Sequence, residues 1–322
     1  MVCRLIEPNF CLRVSDNLSD KCRTFSCNYV GHSVHSLNQM GKVVATSPAP
    51  AFLLLMCGRL NQLAKIPALS LAGRALRVER RKGKQREDKK SEVPVVNNIC
   101  PTDYADVLTM AGDEVGLERM RFGLVPSWAK GSKAEVSKKF AHTFNARCES
   151  VFDLASYRKP ILERRCLIPV RGWHEWPDRQ TPYFIHRADD APLLLAGIWD
   201  VWESHDPSDE ASGPIVTSMS VITTPPGRYM GKFHDRSPLI LDGESALAWM
   251  QPGMKADDIR ALFKPYESEH LEAYRVATLA NQARNKTEAV FAPIAPPVPQ
   301  EGDEPVEPSD DQDRELPGLK MF

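Results

Sequence analysis

Apolar residues in this chain come mostly in short runs punctuated by turn formers, not at the three- and four-residue spacing of amphipathic helices. Such runs fall at 93–96, 119–125, 166–170, 183–185, 193–202, 219–224 and 238–241. They are of strand length, rich in branched and aromatic residues, and bounded by Gly, Pro, Asn and Asp. Helix signals are fewer, at 150–157, at 244–250 behind Asp242-Gly243, and at 255–263. Residues 57–76 read as a strand or loop followed by a short helix. Many short strands with few helices predict an α+β fold: a curved, barrel-like, mostly antiparallel sheet with a few peripheral helices. No internal repeat and no phosphate-binding glycine loop is present.

The two ends lack this texture. Residues 1–55 show no periodicity and finish near Ser47-Pro48-Ala49-Pro50. They read as a disordered leader, cleaved or lying upstream of the true start, with a small separate domain as the alternative. From Ala292 the chain is Pro-rich and then acidic, which predicts a disordered tail over 292–322. The folded domain is then expected over 56–291.

Composition narrows the class. Of 322 residues, 42% are hydrophobic and 26% charged, the balance of a globular protein with a sizeable core. No apolar run is long enough to span a membrane. The net charge of −1 conceals a gradient: residues 1–55 hold five basic and three acidic groups, and 293–322 hold two basic and eight acidic, leaving the middle at +3. A mildly basic domain permits an anionic partner. The run Arg80, Arg81, Lys82, Lys84 and Arg86 is a solvated loop or a nucleic-acid contact. None of the eight cysteines forms a C-x-x-C pair and no secretory signal is seen, so no metal site and a reduced, cytoplasmic setting are expected.

Met56-Cys57-Gly58-Arg59 reads like a start site inside the chain. Were the chain to begin at Cys57, a thiol and a free α-amine would sit on adjacent carbons, the pair that captures aldehydes as a thiazolidine. An α-amine titrates near ~7.7–8.0 against ~10.4 for Lys, so roughly one in six is neutral and nucleophilic at pH 7 against about one Lys in 2,500. Alternatively Cys57 is an ordinary buried cysteine.

Four more stretches carry possible chemistry. Asn145-Ala146-Arg147-Cys148-Glu149 is a compact polar cluster, or a turn with a salt bridge. Gly172-Trp173-His174-Glu175-Trp176 sets a carboxylate between tryptophans, where apolar walls favour a protonated general acid; the alternative is the outer face of a strand. Phe233-His234-Asp235-Arg236 places an imidazole beside both charge signs, suited to proton transfer or to structural hydrogen bonding. Gly123-Leu124-Val125-Pro126-Ser127-Trp128 offers an aromatic after a turn, either a stacking platform or core.

Taken in order, these stretches resemble the SRAP family, the SOS response-associated peptidases. Also matching are Asn98-Ile99-Cys100-Pro101-Thr102, 165–176, Gly197-Ile198-Trp199-Asp200, Thr223-Thr224 and His234-Asp235-Arg236-Ser237-Pro238. The resemblance implies covalent capture of abasic sites in single-stranded DNA by a mature N-terminal Cys57, in a monomer without cofactor. It implies that Asn145 holds the reacting sugar, Glu175 opens the sugar ring as acid/base, and His234 transfers protons at the imine. Arg59, Arg147 and Thr223 would bind phosphate, and Trp128 would pack on the DNA. Lyase-like and self-processing peptidase chemistry go with that family, and a cysteine peptidase or a non-covalent DNA-binding module are the competing readings. Departures are Phe122 for the family's usual Trp, Trp173-His174 for Phe-Tyr, and Cys100 for Ala; these change lining only. The 55-residue extension matters more, because an acylated Cys57 has no amine.

Overall fold

The computed structural model describes residues 58–63, 70–71, 74–75, 78–80, 96–112, 114–210, 214–266 and 270–300. Cys57, the segment 1–55, most of the basic run, and residues 301–322 lie outside these. In chain order the strands are β1 (Leu60–Asn61), β2 (Ser70–Leu71), β3 (Arg74–Ala75), β4 (Val78–Arg80), β5 (Tyr104–Ala111), β6 (Glu114–Phe122), β7 (Asn145–Arg147) and β8 (Arg165–Val170). They continue as β9 (Gly172–Glu175), β10 (Tyr183–Arg187), β11 (Leu193–Glu203), β12 (Ile215–Thr224), β13 (Ser237–Pro238), β14 (Ile240–Leu241), β15 (Leu271–Val276) and β16 (Pro293–Pro297). The helices are α1 (Lys133–Lys139), α2 (Pro160–Glu163), α3 (Gly243–Met250) and α4 (Ala256–Ala261).

Strands β12, β11, β8, β5 and β6 follow one another as antiparallel neighbours. β6 then returns to pair in parallel with β12, Arg121 opposite Ser218 and Phe122 opposite Met219, which closes a ring of five strands. A second sheet runs β1-β9-β10-β15-β16. Strand alternation sorts the ring's side chains into two sets. Ala105, Val107, Met120, Phe122, Cys166, Ile168, Leu195, Met219 and Val221 share one core with Leu60, Trp173 and Ile185 of the second sheet. Leu108, Leu117, Leu167, Ala196, Ile198 and Ile222 form the other core, covered by Trp249 of α3 and Ile259 of α4. The expected α+β, barrel-like fold is therefore the one observed.

Three local expectations differ. Residues 150–157 form successive turns, and the only helix nearby is the short α2, begun by Pro160 at its first turn. Ser150, Asp153 and Ser156 carry short polar side chains of the kind that compete for backbone groups, which weakens a helix there. Helix α1 was not anticipated, although its Ser132–Glu135 capping box is a legible signal. Residues 293–297, placed in the tail by composition, form β16 on the sheet edge against β15. Proline lacks an N–H, and an edge strand is where a sheet tolerates that. Beyond it Val298 donates to the Ala273 carbonyl at 2.8 Å.

Candidate active site

Glu175 ends β9. Trp173, two residues earlier on the same face, lies between Leu60 of β1 and Ile185 of β10, all three in the first core. Alternation thus turns Glu175 inward, and it is 1% exposed. Burying a carboxylate is costly unless it is hydrogen-bonded; Oε1 accepts from the Trp173 indole N–H at 3.0 Å. Trp176 turns away, donating to Asn281 Oδ1 at 2.6 Å. Continuing the β1–β9 register by two residues sets the buried Gly58 opposite Glu175.

His174, between them on the opposite face, is structural. Nδ1 accepts from Asn61 at 3.1 Å and Nε2 donates to the Val290 carbonyl at 2.8 Å. Burial pulls its pKa down to about 4, so it stays neutral.

Asn145 and Arg147 sit on β7, which lies parallel to β12 with Asn145 opposite Val221 and Arg147 opposite Thr223. The strand is fixed by Val221 N–H to the Phe144 carbonyl at 2.8 Å and Cys148 N–H to the Thr223 carbonyl at 2.9 Å. Tyr157 donates to the Asn145 carbonyl at 3.2 Å. Burial raises that phenol to about 12, so it remains a donor across the working pH range. Asn145 is partly buried, Arg147 is exposed and Thr223 is fully buried.

His234 follows the end of β12. Its Nδ1 lies 2.6 Å from Asp235 Oδ1, while Nε2 is enclosed with no hydrogen-bond partner among the described residues. Burial lowers the His234 pKa, outweighing the opposing pull of Asp235. The loop is clamped by Arg236, which grips both oxygens of Glu149 at 2.5 and 2.8 Å and the Thr223 carbonyl at 2.8 Å. In return Arg236 holds the Glu149 carboxyl below its ordinary pKa. Arg236 lies within the His234-Asp235-Arg236 motif, and its partnership with Glu149 is a part that the motif alone does not reveal.

These groups are tied together through neighbours. Tyr183, opposite Glu175 on β10, meets the Phe233 ring at 5.3 Å, and Phe233 precedes His234. Arg236 links the His234 loop to β7 and β12. Arg59 adjoins β9 through its carbonyl, which accepts from His174 N–H at 3.0 Å. Its guanidinium is occupied within the protein: Asn98 Oδ1 at 2.9 Å, the carbonyls of Ala280 at 3.0 Å and Asn281 at 3.4 Å, and the Trp176 ring at 5.6 Å. Trp128 is 53% exposed. Its indole N–H donates to the Ala155 carbonyl at 3.0 Å and its ring meets Phe140 edge-on at 5.9 Å. The preceding Ser127 N–H donates to buried Asp200 at 2.8 Å, and Arg164 holds the other oxygen of that carboxylate at 2.9 Å. The turn that carries the half-exposed indole is thereby held in place. No group of metal-ligating side chains gathers among the described residues, and no helix among them is long and apolar enough to cross a membrane.

This chain is similar to the abasic site processing protein YoaM of Bacillus subtilis, at 30% identity over 62% of this chain and 85% of that protein. It is likewise similar to the abasic site processing protein YoqW of the same species, at 31% identity over 59% of this chain and 82% of that one. To the abasic site processing protein HMCES of Pongo abelii it is 30% identical, over 74% of this chain and 76% of that one. In fold it is similar to a crystal structure of a protein from Bacteroides thetaiotaomicron, with a TM-score of 0.54 at 24% identity, covering 65% of this chain and 92% of that one. Residues 56–283 match the SOS response associated peptidase family throughout. Matched over residues 56–283, and with relatives of similar sequence that process abasic sites, the chain belongs to the SOS response associated peptidase (SRAP) family.

Proposed function

We propose that this protein processes abasic sites in DNA, capturing the lesion covalently in single strands through Cys57 once that residue is the N-terminus. The observation that carries the reading is that two enclosed titratable groups, Glu175 and His234, are linked through Tyr183 and Phe233. Extending the β1–β9 register by two residues sets Gly58, the residue after Cys57, opposite Glu175.

The chemistry needs such a pair. An abasic deoxyribose is mostly a closed hemiacetal, and a proton must reach the ring oxygen before the aldehyde is exposed. Glu175 delivers it and recovers one from the anomeric hydroxyl. The neutral α-amine adds to the aldehyde carbon, a hydroxyl leaves as water, and the thiol adds across the resulting C=N. Its proton passes to nitrogen, so the net change is loss of one water. His234 Nε2 takes and returns the protons at nitrogen. Asn145 orients the sugar from β7.

Abasic DNA offers no base to read at the lesion, so grip comes from phosphates and neighbouring bases. Exposed Arg147 supplies the first and Trp128 the second. Arg59 and Thr223, expected on the phosphate path, are buried. Arg59 spends its charge on carbonyls, so both act by shaping the floor from within. Self-removal of residues before Cys57, by peptidase chemistry at the same centre, would supply the free amine.

The test is incubation of protein beginning at Cys57 with abasic single-stranded DNA, followed by a denaturing gel. A covalent band without borohydride is expected, and about a hundredfold slower appearance with Glu175→Gln. Binding without any band would leave a non-covalent module as the reading; peptide cleavage without a band would favour the peptidase.

A further inference from the structure

The His234 ring has two competing neighbours at one nitrogen. Asp235 Oδ1 lies 2.6 Å from Nδ1, and the backbone N–H of Arg236 approaches the same atom at 3.2 Å. They make opposite demands. The carboxylate needs a proton on Nδ1; the amide N–H needs a lone pair there. At 2.6 Å two lone pairs cannot face one another, so the shorter contact decides. Nδ1 carries the proton and Nε2 carries the lone pair. Nε2 is the atom enclosed without a partner among the described residues, so the lone pair is left on the one ring nitrogen that no described protein group engages.

We propose that Asp235 is a positioning residue that selects the tautomer of His234, making Nε2 a proton acceptor instead of a donor. The inference rests on the reading of His234 as the proton carrier at the captured aldehyde. Its physical content is independent of that reading. Asp235 is 85% exposed on its side chain and makes this contact from the adjacent position. Its charge is therefore well solvated on one side while one oxygen meets the imidazole. Without it, the Arg236 N–H becomes the sole polar neighbour of Nδ1 among those described. The ring proton then moves to Nε2. A ring protonated there cannot accept the proton released as the amine nitrogen adds to the aldehyde carbon, until it ionises or flips. Burial, which disfavours the imidazolium, makes that ionisation harder.

The exposure of Asp235 makes the test practical, since its removal leaves no cavity in the core. The full-length chain is labelled with ¹⁵N-histidine, and the long-range ¹H–¹⁵N spectrum is recorded near neutral pH for wild type, Asp235→Ala and Asp235→Asn. His234 is assigned by its loss in His234→Gln. In wild type Nδ1 is expected at the shift of a protonated nitrogen and Nε2 at that of a bare one. Asp235→Ala is expected to exchange the two. Asp235→Asn, whose side-chain oxygen can still accept from Nδ1–H, is expected to keep the wild-type pattern. In the form of the protein that captures abasic DNA, Asp235→Ala is expected to slow capture about a hundredfold, the scale of one general acid–base contribution, with Asp235→Asn recovering most of it. DNA affinity should change little in either. A wild-type ring protonated at Nε2, or an unchanged spectrum in Asp235→Ala, overturns the proposal. An exchanged tautomer in Asp235→Ala with capture at the wild-type rate also overturns it. Failure of the wild-type protein to capture at all, with the spectra as expected, overturns the functional reading and leaves the tautomer assignment standing.

Discussion

His174 and His234 are both enclosed imidazoles, and their partners make them different groups. Asn61 and Val290 satisfy both nitrogens of His174, so it behaves as a packed polar core residue. Its folded pKa of about 4 lies below the unfolded value of ~6.5. The fold thus favours the neutral form, and the stabilisation is fully present above ~6.5. As pH falls from there toward about 4 the unfolded chain takes up the proton first, and on the order of 2–3 kcal/mol is lost; below that the loss levels off. Urea unfolding of wild type and His174→Gln at pH 7 and near pH 4.5 should show a clearly smaller drop in the variant. Equal drops would mean that His174 is not held neutral by the fold. Glu149 adds to acid sensitivity with the same sign, since Arg236 depresses its pKa and the clamp loosens as pH falls through that value.

In the proposed function, strand β7 and the turn carrying Trp128 divide the work of holding a DNA single strand. β7 is only three residues long, yet it is fixed by backbone bonds to β12 and by the Tyr157 hydroxyl. It presents Arg147 outward beside the buried Thr223. The turn at Trp128 owes its rigidity to Asp200, which accepts from the Ser127 N–H. A phosphate contact and a stacked base respond to salt differently. Arg147→Ala should lower the slope of log K against log salt by about one contact. Trp128→Ala should weaken binding by about 1–3 kcal/mol and leave that slope unchanged. Fluorescence titrations of single-stranded DNA at several salt concentrations measure both, and reversed effects would exchange the two assignments. Strand β15 and the residues just beyond β16 hold the start of the His234 loop at the same scale. Tyr229, at the start of that loop, accepts from Ala273 N–H and donates to the Val298 carbonyl, both at 2.9 Å, and Lys232 donates to the Pro299 carbonyl at 2.9 Å.

For the whole molecule the proposed capture turns on the covalent state of Cys57. Joined to Met56, its nitrogen is an amide, which is not basic and forms no imine. The chain starting at residue 1 should therefore bind single strands without crosslinking them. A chain starting at Met56 should lose that methionine and crosslink. Intact mass spectrometry of the natively expressed protein, beside the denaturing gel, checks both. Finding residues 1–55 still attached to protein that captures abasic sites would exclude the α-amine as the nucleophile. An internal lysine or the thiol alone would then have to take its place.

Much of this protein was written into local pattern. Runs such as 166–170 and 193–202 became β8 and β11 because strand alternation and branched side chains act over a few residues. The Asp242-Gly243 signal opened α3 for the same reason. The ordered motifs, from Met56-Cys57-Gly58-Arg59 to His234-Asp235-Arg236, were sufficient to place the chain among its relatives. Other features depended on contacts between distant residues. The parallel return of β6 to β12 closes the ring across almost a hundred positions of sequence, as Arg121 opposite Ser218 shows. Composition alone placed Pro293–Pro297 in a tail, but the open edge of β15 gave it a partner. Arg59 and Arg147 look alike as cations in sequence; one is buried against Asn98 and Trp176 and the other faces solvent. A side chain's chemical part depends on which donors, acceptors and apolar surface enclose it. Those neighbours come from strands far apart in the chain, so only the folded structure could assign them.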